Sequence, residues 1–158
     1  MNLDKRLGKV QSMKFLQSIG ILSLILLLTV SCKSSNNSMS GMQNLHKKWM
    51  LVENKDFTKE EMVKLEANID LTKNAESPNR YTAKMGCNGM FFTAEFNNGK
   101  AKFSSVGSTM MYCDGRMKLE DSFGKVLPNI TQYKIEGHFL TLSNANGDKM
   151  KFVEEDWD

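Results

Sequence analysis

Strict alternation of apolar and polar residues recurs along this chain, and no other feature restricts the fold as much. In EANIDLTK, Ala67, Ile69 and Leu71 share one face while Asn68, Asp70 and Thr72 share the other. In RYTAKM, Tyr81, Ala83 and Met85 oppose Arg80, Thr82 and Lys84; in MFFTAEF, Met90, Phe92, Ala94 and Phe96 oppose Phe91, Thr93 and Glu95. Successive strand side chains point to opposite faces, so each stretch reads as a strand with one buried and one wetted side, which favours antiparallel pairing. Trp49 with Leu51, Ala101 with Phe103, Tyr133 with Ile135, Leu140 with Leu142, and Met150 with Phe152 continue the pattern.

Turn chemistry tests whether these faces can form one core. A hairpin across Asn98-Gly99 pairs Phe96 with Ala101 and Ala94 with Phe103, and Asn-Gly suits a two-residue turn because both positions need positive φ. A turn across Gly137-His138 pairs Ile135 with Leu140 and Tyr133 with Leu142. A three-residue loop, Ala145-Asn146-Gly147, with Gly147 left-handed, pairs Leu142 with Met150 and Leu140 with Phe152. Each turn keeps the apolar faces in register. Between Met85 and Met90 the inward positions switch from odd to even numbers. A hairpin over Gly86-Cys87-Asn88-Gly89 therefore pairs Met85 with Met90, Ala83 with Phe92 and Tyr81 with Ala94. The glycines permit its backbone angles, and Asn88 tolerates the left-handed region.

Two helical segments interrupt the strands. TKEEMVKLE carries Thr58 and Glu61 at capping-box spacing, with Met62 and Leu65 on one face. RMKLEDSFGKVL offers Leu119, Phe123, Val126 and Leu127 as an apolar stripe and ends at Pro128. The expectation is a mainly β (α+β) domain: a small antiparallel, closed or nearly closed β-barrel of about eight strands with one or two short helices. A two-sheet sandwich is the rival.

The N-terminus reads as an address. Lys5, Arg6, Lys9 and Lys14 precede the apolar run IGILSLILLLTV, which is short for a membrane span and ends at Ser31-Cys32. This resembles a bacterial lipobox, with Thr29 where leucine is usual, and it implies that Cys32 is acylated. Translation from Met13 would by itself leave a compact signal. Residues 1–31 are thus read as a lipoprotein signal peptide, and 32–44, which include KSSNNSMSGMQN, as a flexible tether too polar to offset its ordering entropy. One domain remains, 45–158. Of 21 basic and 18 acidic residues, four basic and one acidic precede Cys32, which leaves 17 of each sign and no net charge. No lysine or arginine cluster suggests a nucleic-acid surface.

GCN after an alternating strand, an Asn-Gly hairpin, then STMMYC and a helix with Glu120 and Phe123, resembles the META domain, the HslJ-like family. YKIEGHFLTL with a glycine-containing turn and a last strand fits that family's C-terminal meander. Gly86, Cys87, Asn88, Thr109 and Cys113 are the matching positions. The aromatic-rich GMFFTAEF and the helical character of residues 56–67 depart from the family's commoner form. The resemblance implies a compact β domain, often lipid-anchored in bacteria, associated with stress and antibiotic (novobiocin) tolerance, with no established enzymatic activity.

With Cys32 acylated, Cys87 and Cys113 remain as an even pair in an oxidising compartment. A disulfide between them would close a loop of about 27 residues and stabilise the domain by roughly 3 kcal/mol in the chain-entropy model. The alternative is two buried, unpaired thiols. A thiol enzyme would need His46 or His138 beside one of these sulfurs, and neither histidine is set up as a shared base. Zinc spacing and phosphate-binding glycine loops are missing from the sequence. Met85, Cys87, Met90, Met110, Met111, Cys113 and Met117 form a sulfur set that could suit Cu(I), but methionine more often fills irregular core gaps. The acidic end EEDWD is a solvated tail by default, with Trp157 able to pack on the domain.

The expected function is that of a lipid-anchored, non-enzymatic cell-envelope domain, related to envelope stress or antibiotic tolerance, acting by protein binding or structural support. It is expected at the outer membrane, facing the periplasm, without a cofactor and without nucleic acid. Its partners would be the membrane, through the N-terminal lipid, and an unidentified envelope protein. The alternatives are a barrel holding a small apolar ligand and a Cu(I)-binding or thiol-active periplasmic protein. A filled core would favour the surface-acting domain; an internal cavity would favour the ligand.

Overall fold

The alternating segments become strands wherever the period-two pattern holds. A computed structural model describes residues 45–157; the expected signal, Cys32 and the tether lie outside the described residues. The strands are β1 (Lys48–Asn54), β2 (Asn68–Asp70), β3 (Arg80–Lys84), β4 (Gly89–Asn97), β5 (Lys100–Ser108), β6 (Gln132–Glu136), β7 (Phe139–Ser143) and β8 (Lys149–Glu154). Helix α1 (Lys59–Lys64) follows β1 and α2 (Lys118–Val126) follows β5; 3-10 turns span Leu127–Asn129 and Glu155–Trp157.

Neighbouring strands pair antiparallel in chain order, and β1 pairs with β8, so hydrogen bonds run in a complete ring. The expected barrel is nevertheless corrected: the strands do not stand round one axis. A barrel needs a uniform tilt and stagger from strand to strand. Here the joins are uneven. Strands β5 and β6 share only the Lys100–Gln132 pair, while β4 and β5 pair over most of their length. Register shifts place an extra residue in β1 between Leu51 and Glu53 and in β5 opposite Phe91–Thr93, where Ser105 has positive φ.

Three hairpins carry the expected registers: Phe96 opposite Ala101, Ile135 opposite Leu140, and Leu142 opposite Met150. Asn98 and Gly99 both have positive φ, 45° and 80°, as a two-residue turn requires. The β3–β4 hairpin differs from expectation. Ala83 pairs with Met90 and Tyr81 with Phe92, a slip of two residues that preserves every face. The connection is therefore residues 85–88, with Met85 fully buried inside it.

The inward faces close on interlocked rings. Phe92 meets Phe103, Tyr81 and Phe123 at centroid distances of 5.8, 6.0 and 6.5 Å, and Phe96 meets Tyr133 edge-on at 5.2 Å. Trp49 is fully buried, and its indole N–H donates to the Leu45 carbonyl at 2.9 Å, so its polar edge carries no penalty. Helix α1 begins on the expected capping box, with Thr58 and Glu61 exchanging hydrogen bonds. Helix α2 covers the core with Leu119 and Phe123.

Charge reinforces the join of β1 and β8. Lys47 Nζ donates to Glu154 Oε1 at 2.8 Å, and His138 Nδ1 lies 3.3 Å from Glu154 Oε2. The Lys47 ammonium holds the Glu154 carboxyl below the usual carboxylate range, with His138 adding to it and burial opposing both. A lowered carboxyl contributes stability above its unfolded-state pKa and loses it as pH falls through the folded value. Urea midpoints measured from about pH 6 down to about pH 2 should therefore fall with acid, and Lys47→Met should flatten that fall relative to wild type.

Candidate functional site

The corner between β3 and β4 is built around one buried amide. Asn88 is 1% exposed, and its side chain grips the chain some twenty residues away. Its Oδ1 accepts from Thr109 Oγ1 at 2.8 Å and from the Met111 N–H at 2.8 Å, while Nδ2 donates to the Met111 carbonyl at 3.1 Å. Both main-chain groups of Met111 are thus held by one side chain. The Met111 N–H also fixes which end of the amide faces it, since only the oxygen can accept. Asn88 has no positive φ, so its place in the turn comes from this clamp and not from tolerance of the left-handed region.

The Asn88 main chain is held from the other direction. Its N–H donates to Glu120 Oε2 at 2.8 Å, from the first turn of α2, where the helix dipole favours a carboxylate. Glu120 is only 5% exposed. As a site residue it was missed by the sequence reading; the available signal is a carboxylate beside Leu119 and close to Phe123 on the apolar side of a short helix. Gly86 is required for a different reason. Its φ is 144°, and a Cβ there would collide with the Arg116 carbonyl oxygen.

Cys87 and Cys113 are joined by a disulfide, with Cα atoms 5.8 Å apart, an ordinary separation for such a bond. The corner is therefore tied to residues 109–117 covalently, by the Asn88 clamp and by the close approach at Gly86. Of the sequence-derived residues, Gly86, Cys87, Asn88, Thr109 and Cys113 come together here; Cys32 lies outside the described residues. What the tie holds out is apolar: Met110, Met111 and Tyr112 are 98%, 59% and 83% exposed.

The histidines are engaged elsewhere. His46 Nδ1 contacts the Leu71 carbonyl at 3.1 Å, and the His138 ring stacks on Trp157 with centroids 3.5 Å apart. The sulfur set is divided, with Met85 and Met90 in the core and Met110 in solvent. Among the described residues, no group of three or more His, Cys, Asp or Glu side chains could hold a metal ion. No helix among them is long and apolar enough to cross a membrane.

These features define a small antiparallel β domain with a corner tied by the Asn88 clamp and the Cys87–Cys113 disulfide. The META domain family model matches residues 30–157, and the chain belongs to that family, a cell-envelope fold. It is similar to a protein from Burkholderia xenovorans solved by NMR, at 20% identity and a TM-score of 0.58, over 72% of this chain and 85% of that one. A second NMR structure is similar at 17% identity and a TM-score of 0.50, over 73% of this chain and 94% of that one. At these identities the likeness concerns the fold alone. No curated protein matches the chain.

Two outcomes test the corner. Cys87→Ser/Cys113→Ser should lower unfolding free energy by roughly 3 kcal/mol in urea titrations, chiefly by freeing the unfolded chain. Asn88→Ala removes three side-chain hydrogen bonds and should cost roughly 2–3 kcal/mol. It should also speed amide exchange at Met111 while leaving that of β7 nearly unchanged.

Proposed function

We propose that the protein is a lipid-anchored, non-enzymatic envelope domain that acts by offering Met110, Met111 and Tyr112 to an envelope protein partner. One observation carries this reading: Met110 and Tyr112, the two most exposed large apolar side chains among the described residues, flank Met111, whose N–H and carbonyl are both held by Asn88 beside the Cys87–Cys113 disulfide. Large apolar groups presented on a rigid frame lose little entropy on docking, and such residues dominate interface energetics. The packed rings inside the strands also favour a surface role over an interior ligand. The lipid on Cys32 and the polar tether would keep that surface at the membrane, facing the periplasm. The family resemblance supplies the setting, envelope stress and antibiotic tolerance.

In a deletion strain challenged with novobiocin, Met110→Ser/Met111→Ser/Tyr112→Ser should fail to restore survival although the purified variant melts within about 3 °C of wild type, since exposed substitutions change stability little. Full restoration by that variant would overturn the docking role. Cys32→Ser should also fail, through loss of palmitate labelling and of membrane retention.

A further inference from the structure

Behind the tied corner lies a groove that the surface-acting reading does not use. A cavity of about 580 Å3 opens between α1 and residues 114–119. That is within the size range of small-molecule sites. Its lining combines the partly buried Phe57 and Leu65 and the edge of buried Leu119 with Lys64, Arg116 and Lys118. None of these three cations forms an ion pair among the described residues, whereas six other lysines do. Two carboxylates share the groove, Glu61 accepting from the Thr58 N–H at 2.8 Å and Asp114 from the Tyr112 hydroxyl at 3.4 Å, so three cations against two anions leave the lining with one net positive charge. The walls are held apart by separate devices. The capping box fixes α1, while the disulfide at Cys113, the Arg116 N–H to Cys113 carbonyl bond of 3.2 Å and the contact with Gly86 fix the other side.

We infer that this groove binds a single-chain amphiphile with an anionic head, the apolar body lying on Phe57, Leu65 and Leu119 and the head meeting Lys64, Arg116 and Lys118. Charge complementarity selects the head: the lining is net positive and its three cations lie outside any ion pair, so a carboxylate or phosphate gains contacts that a neutral or cationic group would not use. The apolar part of the lining selects the body, because burying it removes hydrocarbon from water. Since both walls are held before binding, little ordering cost remains.

Titration of the 15N-labelled protein with decanoate below its micelle concentration tests this by amide shifts. Saturable shifts at Leu65, Arg116 and Leu119 are expected, with 1-decanol and inorganic phosphate each binding at least about tenfold more weakly, as loss of one of the two contact sets implies. Arg116→Gln/Lys118→Gln should weaken decanoate by about tenfold or more while the melting temperature holds, because both side chains are exposed. Equal affinity for decanol or for phosphate, indifference to that double variant, shifts confined to residues 110–112, or binding to anionic vesicles without binding to free decanoate would each overturn the assignment. Met110→Ser/Met111→Ser, which keeps the Tyr112 hydroxyl on Asp114, should bind decanoate normally, so failure of the docking role and failure of the groove are separate results.

Discussion

The Asn88 side chain, buried between the β3–β4 corner and the segment after β5, is the contact on which the rest of the molecule's surface depends. A buried amide is costly unless its oxygen and nitrogen find partners, and here both find them on the distant chain around Met111. Glu120 then fastens the same residue's N–H to α2. One residue thus couples a turn, a long connection and a helix. The disulfide adds a covalent limit to the same coupling, acting mainly on the unfolded chain, whereas the hydrogen bonds act on the native one.

Two surfaces follow from this arrangement. On one side the segment holds Met110 and Tyr112 in solvent; on the other its residues Arg116 and Leu119 line the groove beside α1. The ring of strands contributes little to either face directly. Its role is to hold the corner steady, through a core of aromatic contacts and through charged joins such as Lys47 with Glu154. That the sheet closes by hydrogen bonds without standing round one axis fits this division of labour. The single β5–β6 pair leaves room for α2 and the turn after it to enter the core.

Legibility in the sequence tracked how local each determinant is. Phe96 opposite Ala101 could be read from Asn98-Gly99 because the turn and the strands it joins lie within a few residues of one another. Thr58 and Glu61 could be read as a cap for the same reason. The slip of two residues between β3 and β4 could not, since its length is set by Met85 entering the core and by Gly86 meeting Arg116, about thirty residues on. Asn88 was legible as a motif residue, but its mechanism was misread: a turn preference was expected where a long-range clamp operates. Glu120 was legible only as part of the family resemblance and not as a partner of Asn88, because a carboxylate near a helix start is ordinary until its partner is known.

Alone, the order of residues determined the strand segments, their inward faces, most hairpin registers and the two helices, since alternation and turn angles are properties of neighbours, whereas the bond between Cys87 and Cys113 came from the structure. Only the tertiary structure decided that the ring is not a barrel, that Asn88 and Glu120 hold one corner together, and which apolar groups stay in water. Those outcomes depend on contacts between segments twenty or more residues apart, where the energy of each placement is set by what else occupies the space.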